Sequence, residues 1–452
     1  MLKFGVAKRD ITPECGMVIP GYYSKRFAST ILDPLYAKAM VFENDGSFAV
    51  AVVCDTINLR RDDVLRIRRG IYDKCGIPEK NISVSASHTH TGGPSWHWYE
   101  AGEHDPIYMN KLISAAIDAA VEAFGKRTNA KIGFAKTEVP GYTFIRRYLM
   151  KNGRVRTNPG NMNPDIVEAV GTPDESFVVG KVCDENGKTL AFLSNYGVHL
   201  DMLGGAMGEG NISADYPGYL ATLVAEKFGE DVESVFFTGP CGNTNHLNPL
   251  HIPVKSKIEE TNPELYIYKK TAHALFDALC EIEGKIPLSG DVSPVVSREF
   301  VSGRLRVPTK EYVDTAYRFL HGEDVRFEGY SMENLGLKER RHIALATVDA
   351  FNNPIKMIDA EVMTLTLGDS AIVTWPAEVF VEYGKAVREK FADKNIIIGE
   401  LSNGSFGCYL PTEEAIEQGG YEPTITGGTT PEPKIGTDMV NATIELLEKS
   451  GL

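Results

Sequence analysis

Apolar runs that stop abruptly at polar, glycine-containing loops recur along this chain, and they constrain its architecture more than any other feature. Phe48-Ala-Val-Ala-Val-Val-Cys-Asp55 is one of them, unbroken by polar alternation, as expected of a strand buried on both faces. From Asp62 the apolar residues Val64, Ile67 and Ile71 recur at helical spacing until Gly76 and Pro78 stop the pattern. Asn81-Ile-Ser-Val-Ser-Ala-Ser-His-Thr-His90 then reads as a second strand, which makes a β-α-β unit and hence a parallel pair. Leu112, Ile113, Ala116, Ile117, Ala120, Val121 and Phe124 mark a further amphipathic helix.

The same grammar returns in Leu190–His199, Ser234–Gly239, Ala371–Trp375 and Asn395–Glu400. The predicted fold is α/β, a mainly parallel mixed sheet flanked by helices, with the active site at the carboxyl ends of the strands. One catalytic domain is expected over residues 1–452, interrupted at about 290–358 by an insertion or small subdomain with helical patterns around Tyr312–Leu320 and Arg340–Ala350. Met357–Leu367 and Ala371–Trp375, joined by Gly368-Asp-Ser370, read as a hairpin that re-enters the main sheet. A Gly/Pro-rich loop from Gly419 to Gly436 precedes a final helix capped near Thr437.

The net charge of -14 and the lack of basic runs exclude a nucleic-acid footprint and argue against an anionic membrane surface. No signal-peptide pattern opens the chain and no apolar stretch reaches membrane-spanning length, so a cytoplasmic protein without stable membrane association is expected. Oligomeric state leaves no signature in the sequence. The seven cysteines are scattered without a CxxC pair, which predicts reduced thiols and a metal, if any, held by other ligands. There is no GxxxxGK[ST], HExxH or GxSxG.

His88 and His90, one residue apart on an expected strand, would point to the same face. His199 ends another apolar run, and Glu378 follows Trp375-Pro376-Ala377 at the start of an expected helix. Each has an ordinary explanation: a solvated histidine pair, a hydrogen-bonded core histidine, a carboxylate favoured by a helix dipole. Their convergence after three strands of one sheet points instead to a metal, since imidazoles and a carboxylate suit zinc. Cys241, in a Gly-Pro-Cys-Gly loop, could act as a nucleophile, but no base is identified near it in the sequence. Trp96 and Trp98 follow the histidine pair and could line a pocket or simply pack.

Ser85-Ala-Ser-His-Thr-His-Thr-Gly-Gly93, Asn211-Ile-Ser-Ala-Asp-Tyr-Pro-Gly-Tyr-Leu220, Trp375-Pro-Ala-Glu378 and Cys408-Tyr-Leu-Pro-Thr-Glu-Glu414 with Gly420-Tyr-Glu422 resemble, in order, segments of the neutral/alkaline ceramidase family. The resemblance implies one zinc per chain held by His88, His199, Glu378 and Tyr409. It further implies His90 and Tyr421 as catalytic residues and Arg146 as a catalytic or substrate-binding residue, with adjacent Arg147 leaving that register open. The implied reaction is hydrolysis of an amide in a small N-acyl substrate by water activated at the ion. An esterase and a non-catalytic small-ligand-binding protein are the alternatives. Two departures bear on substrate. The family's C-terminal immunoglobulin-like domain has no counterpart here, and its Asn-Ala-Gly-Asp-x-Ser-Pro-Asn loop stands as Gly239-Pro-Cys-Gly-Asn-Thr-Asn-His-Leu-Asn-Pro249, without the Asp and Ser. Both favour a small, water-soluble amide over ceramide.

Overall fold

The computed structural model describes residues 1–203, 210–250, 266–325 and 335–452. The expected β-α-β unit is present as β3 (Ser47–Cys54), helix α1 (Arg61–Cys75) and β4 (Ile82–Ala86), and it is preceded by two strands, β1 (Lys3–Asp10) and β2 (Tyr36–Asn44). After helix α2 (Pro106–Gly125) come β5 (Thr128–Glu138), β6 (Ser176–Asp184) and β7 (Thr189–Tyr196), then helix α3 (Asp215–Phe228) and β8 (Glu233–Thr238). These strands form one eight-stranded sheet in the order β8-β7-β6-β5-β1-β2-β3-β4.

The sheet is mostly antiparallel, which corrects the expectation of a mainly parallel one; only the outermost pairs, β3/β4 and β7/β8, are parallel. Short turns decide this. Between paired Asn44 and Ser47, Asp45 and Gly46 take φ of 48° and 79°, the positive values a tight two-residue hairpin requires. A similarly short turn reverses β6 into β7. Only α1 and α3 provide the long crossovers that parallel pairing needs.

A second sheet holds β9 (Pro294–Arg304), β10 (Met357–Leu367), β11 (Ser370–Thr374) and, beyond the two-residue strand β12 (Glu378–Val379) and helix α7 (Val381–Lys390), β13 (Asn395–Gly399), in the order β9-β10-β11-β13. The predicted β10–β11 hairpin therefore exists, but it enters this separate sheet and not the larger one. All of β9 pairs with β10, so part of the stretch expected to be an insertion is sheet. Helices α5 (Lys310–Leu320) and α6 (Leu337–Asn352) lie between β9 and β10 and pack on each other through Ala316, Ile343 and Ala344. Residues 326–334 of that stretch lie outside the described residues.

The two sheets face each other across Phe4, Phe42, Val53, Phe134, Leu193 and Phe237 on one side and Leu365, Leu367, Ile372 and Ile397 on the other. Helices cover both outer faces, giving four layers. Helices α1 and α2 bury Val64, Ile67, Leu112 and Ala116 against Val50, Val52 and Val84, while α3 and α4 (Ile267–Ile282) bury Leu220, Val224, Leu275 and Leu279 against Val179 and Phe192. Over the smaller sheet, α7 (Val381–Lys390) and α9 (Lys434–Lys449) pack on Val362, Val373 and Trp375; α8 is the short helix Glu413–Gln418. Helix α9 starts at Lys434, a turn before the cap expected near Thr437. The larger sheet curls enough to bring its edges together at their carboxyl ends: Thr238 Oγ1 donates to Ser87 O at 2.5 Å. That meeting point is where the loops after β4, β7, β8 and β11 converge.

Candidate metal centre

Strand β4 stops at Ala86, and His88 takes φ 72°, a left-handed conformation that costs a non-glycine residue energy and concentrates at functional sites. Its N–H donates to Thr56 O at 2.9 Å, and the His90 N–H donates to Leu200 O at 3.0 Å. His88 and His90 thus share a direction because the chain reverses at His88, not because a strand alternates beneath them as expected. His199 follows β7 after Gly197 and Val198. The three Nε2 atoms converge, with 3.1 Å from His88 to His199, 3.3 Å from His90 to His88 and 3.2 Å from His90 to His199.

Glu378 does not open a helix as expected. It lies in β12, paired in parallel with β14 (Tyr409–Leu410) so that Glu378 and Tyr409 stand side by side in register; α7 begins only at Val381. Glu378 Oε2 is buried, 3.4 Å from His88 Nε2 and 3.9 Å from His199 Nε2. Three nitrogens in a triangle cannot all satisfy one another, since a neutral imidazole nitrogen either donates or accepts. Their spacing does match the edge of a tetrahedron about a metal with bonds of about 2.0–2.1 Å, which is roughly 3.3 Å. The residues present therefore fit an ion, and His88, His90 and His199 are together able to hold one.

The histidines differ in how their rear nitrogens are held. His88 Nδ1 meets Ile57 O at 2.9 Å, and His199 Nδ1 faces Cys241 O at 3.5 Å, arrangements that leave Nε2 as the free lone pair. His90 Nδ1 has no partner among the described residues. It lies against Gly21, where a Cβ would come within 2.8 Å of it, and the Tyr22 ring meets the imidazole edge-on at 5.3 Å. Burial, reinforced by His88, lowers His90 to about 3, and burial also holds His199 well below the ordinary imidazole range. Both are neutral at pH 7. Burial acts against charge on His88 too, but the Glu378 carboxylate outweighs it and raises His88. Burial would raise Glu378, yet His88 and the other imidazoles hold it at about 2.

Beside the histidines, the Arg146 guanidinium lies over the Tyr409 ring at 5.0 Å and also hydrogen-bonds Tyr409. Its Nε donates to Glu422 Oε1 at 2.8 Å and its Nη2 to Gly242 O at 2.6 Å. Arg147 shares Glu422 but otherwise reaches Gln418 and the Phe380 ring, so Arg146, which lies on Tyr409, is the arginine that faces the centre. Tyr421 meets the Tyr409 ring edge-on at 5.5 Å, and its hydroxyl hydrogen-bonds Tyr23. Burial pushes both tyrosine hydroxyls above their ordinary range. Tyr23 continues into an aromatic group with His342 and Trp98, while Trp96 packs on Gly407.

Several neighbours escaped the sequence reading. Asp201, with His246 at 3.3 Å and a hydrogen bond to Tyr22, stands two residues beyond His199. Glu400 lies behind the centre at the end of β13, a position the strand-end pattern marked without assigning it a role. Cys241 donates its thiol proton to Glu400 Oε1 at 2.9 Å, and burial with Glu400 pushes that thiol well above its usual range, which disqualifies it as a nucleophile.

No family model matches the chain, and no curated protein matches it in sequence. Solved structures do match. Neutral ceramidase from Pseudomonas aeruginosa superposes with a TM-score of 0.71 at 17% identity, covering 99% of this chain and 75% of that one. A ceramidase complexed with C2 gives 0.70 at 17%, with the same coverage. At this identity the likeness is one of fold, and over nearly its whole length this chain has the fold of neutral ceramidase.

Proposed function

We propose that this chain is a metal-dependent amidohydrolase that cleaves an N-acyl bond with water, with one zinc per chain. The observation that carries the reading is the buried convergence of three imidazole Nε2 atoms with a Glu378 oxygen 3.4 Å from one of them. His88, His199, Glu378 and Tyr409 would hold the ion: two of these are imidazoles with rear nitrogens facing carbonyls, and the other two are oxygen ligands in register on one short ladder. A bound zinc supplies Lewis acidity, polarising the scissile carbonyl and making water a nucleophile near neutral pH.

The remaining roles fall to the chain's own side chains. His90 is neutral, its Nε2 lies 3.3 Å from that of His88 and 3.2 Å from that of His199, and its Nδ1 has no acceptor among the described residues. It takes the proton released by the attacking water and delivers it to the leaving amine. Arg146 keeps its charge beside Tyr409 while Glu422 and Gly242 fix its plane, so it binds the carbonyl oxygen as negative charge develops there; the Tyr421 hydroxyl assists.

Turnover of soluble N-acyl compounds, N-acylsphingosines of short and long chain, and matched esters by zinc-loaded protein tests this. Amine release that is lost in His90→Gln with zinc retained is expected. Inactivity on every amide and ester would overturn the function, and full turnover by His90→Gln would remove His90 from the role.

A further inference from the structure

Glu400 has a buried side chain, and no lysine or arginine pairs with it among the described residues. Both of its carboxyl oxygens nevertheless accept hydrogen bonds. Oε2 accepts from the backbone N–H of Val379 at 2.9 Å and of Cys241 at 3.2 Å, and Oε1 accepts from the Cys241 thiol at 2.9 Å. Val379 is the residue after Glu378 in β12. Cys241 presents its carbonyl at 3.5 Å and its sulfur at 3.7 Å to His199 Nδ1. One side chain thus ties the backbone that carries Glu378 to the loop that backs His199, while its own N–H donates to Thr238 O at 3.0 Å.

These contacts join elements of two different sheets, beside the Gly242 N–H donated to Val379 O at 2.9 Å and the Val381 N–H donated to Asn243 Oδ1 at 2.9 Å, and among them only the Glu400 bonds include the residue that backs His199. His199 hangs from the larger sheet and Glu378 follows the smaller one, so their separation depends on how the sheets dock. A ligand pair tolerates little error, because outer partners that aim metal ligands typically change affinity by about 10–100-fold when removed. We propose that Glu400 is a positioning residue of this centre, fixing Glu378 and His199 relative to each other, with Cys241 as its link to His199. The inference rests on reading the histidine cluster as a metal centre.

The test is zinc affinity, measured by competition with a chromophoric chelator, together with amide hydrogen exchange in the zinc-free chain. Glu400→Ala is expected to weaken zinc by about 10–100-fold and to expose the Val379 and Cys241 amides selectively. Glu400→Gln, which keeps an acceptor for both amides, is expected to restore most of the affinity. Cys241→Ala should weaken zinc by several-fold and Cys241→Ser should recover it, a comparison that decides the matter if Glu400→Ala does not fold. Affinity within about threefold of wild type in folded Glu400→Ala, or in Cys241→Ala when that variant alone folds, would overturn the proposal. Failure of the wild-type chain to take up zinc would overturn the reading of the centre instead. The selective exposure of the two amides would then still report whether Glu400 holds both elements.

Discussion

Two buried polar clusters sit side by side in this protein, and they solve the problem of burial in opposite ways. In one, Glu422 is enclosed by Arg146 at 2.8 Å, Arg147 at 3.3 Å and Thr157 Oγ1 at 2.6 Å, so each carboxylate oxygen has a donor. In the other, three imidazole nitrogens crowd together beside Glu378 Oε2, and no lysine or arginine salt bridge reaches that carboxylate among the described residues. Unsatisfied buried polar atoms cost about 1–3 kcal/mol each. The first cluster is charge-paired within the protein; the second gathers nitrogen lone pairs and a carboxylate that together could hold an ion. Arg146 links the two, with its guanidinium on Glu422 and its face on Tyr409.

If this contrast is correct, the clusters respond differently to the same perturbations. The largest effect should come from Glu422→Ala, which leaves two buried arginines unpaired and should destabilise by about 3–5 kcal/mol, to the same extent with and without zinc. Chemical denaturation measures this, and a penalty that disappears on adding zinc would merge the two clusters. Next, zinc at a hundredfold excess over its Kd should stabilise the wild-type chain by about 2.7 kcal/mol. His199→Ala should abolish that increment while Glu422→Gln keeps it.

The legible and illegible parts of the molecule divide along similar lines. The proximity of His88, His199 and Glu378 was legible because each follows an apolar run, and Tyr409, which stands in register beside Glu378, lies in a segment that carries a family pattern. The antiparallel strands β1, β2, β5 and β6 were not, since a strand's partner is chosen by the length and turn chemistry of its connection. The Asp45-Gly46 hairpin was the available signal. The start of α7 was misplaced because residues after Trp375-Pro376 pair with Tyr409, thirty residues on, and a long-range ladder overrides a local helical pattern. Glu400 stood at a strand end in plain sight, but its role comes from contacts with Val379 and Cys241 that no local pattern encodes.

A smaller effect concerns acid. Burial would raise Glu422, but Arg146 and Arg147 outweigh it and hold the folded carboxyl below its ordinary 4.5. A depressed carboxyl contributes its stability in full above that ordinary value and loses it as pH falls through the folded one. Glu422→Gln should therefore flatten the stability curve below pH about 4.5 relative to wild type. An unchanged acid limb would mean that the pair contributes nothing. The smallest effect is expected at Gly21, whose φ of 114° and contact with His90 Nδ1 leave no room for a methyl group. Gly21→Ala should cost about 1 kcal/mol or slightly more and lower turnover through a displaced His90 while zinc stays bound. Loss of zinc in Gly21→Ala would instead place His90 among the ligands.

The most direct measurement of the central claim is metal content after equilibrium dialysis, by elemental analysis, of the wild-type chain and His88→Ala exposed to zinc. Close to one zinc per wild-type chain is expected, and almost none in folded His88→Ala. A wild-type chain that retains no zinc, or a His88→Ala chain that retains as much as wild type, would contradict it.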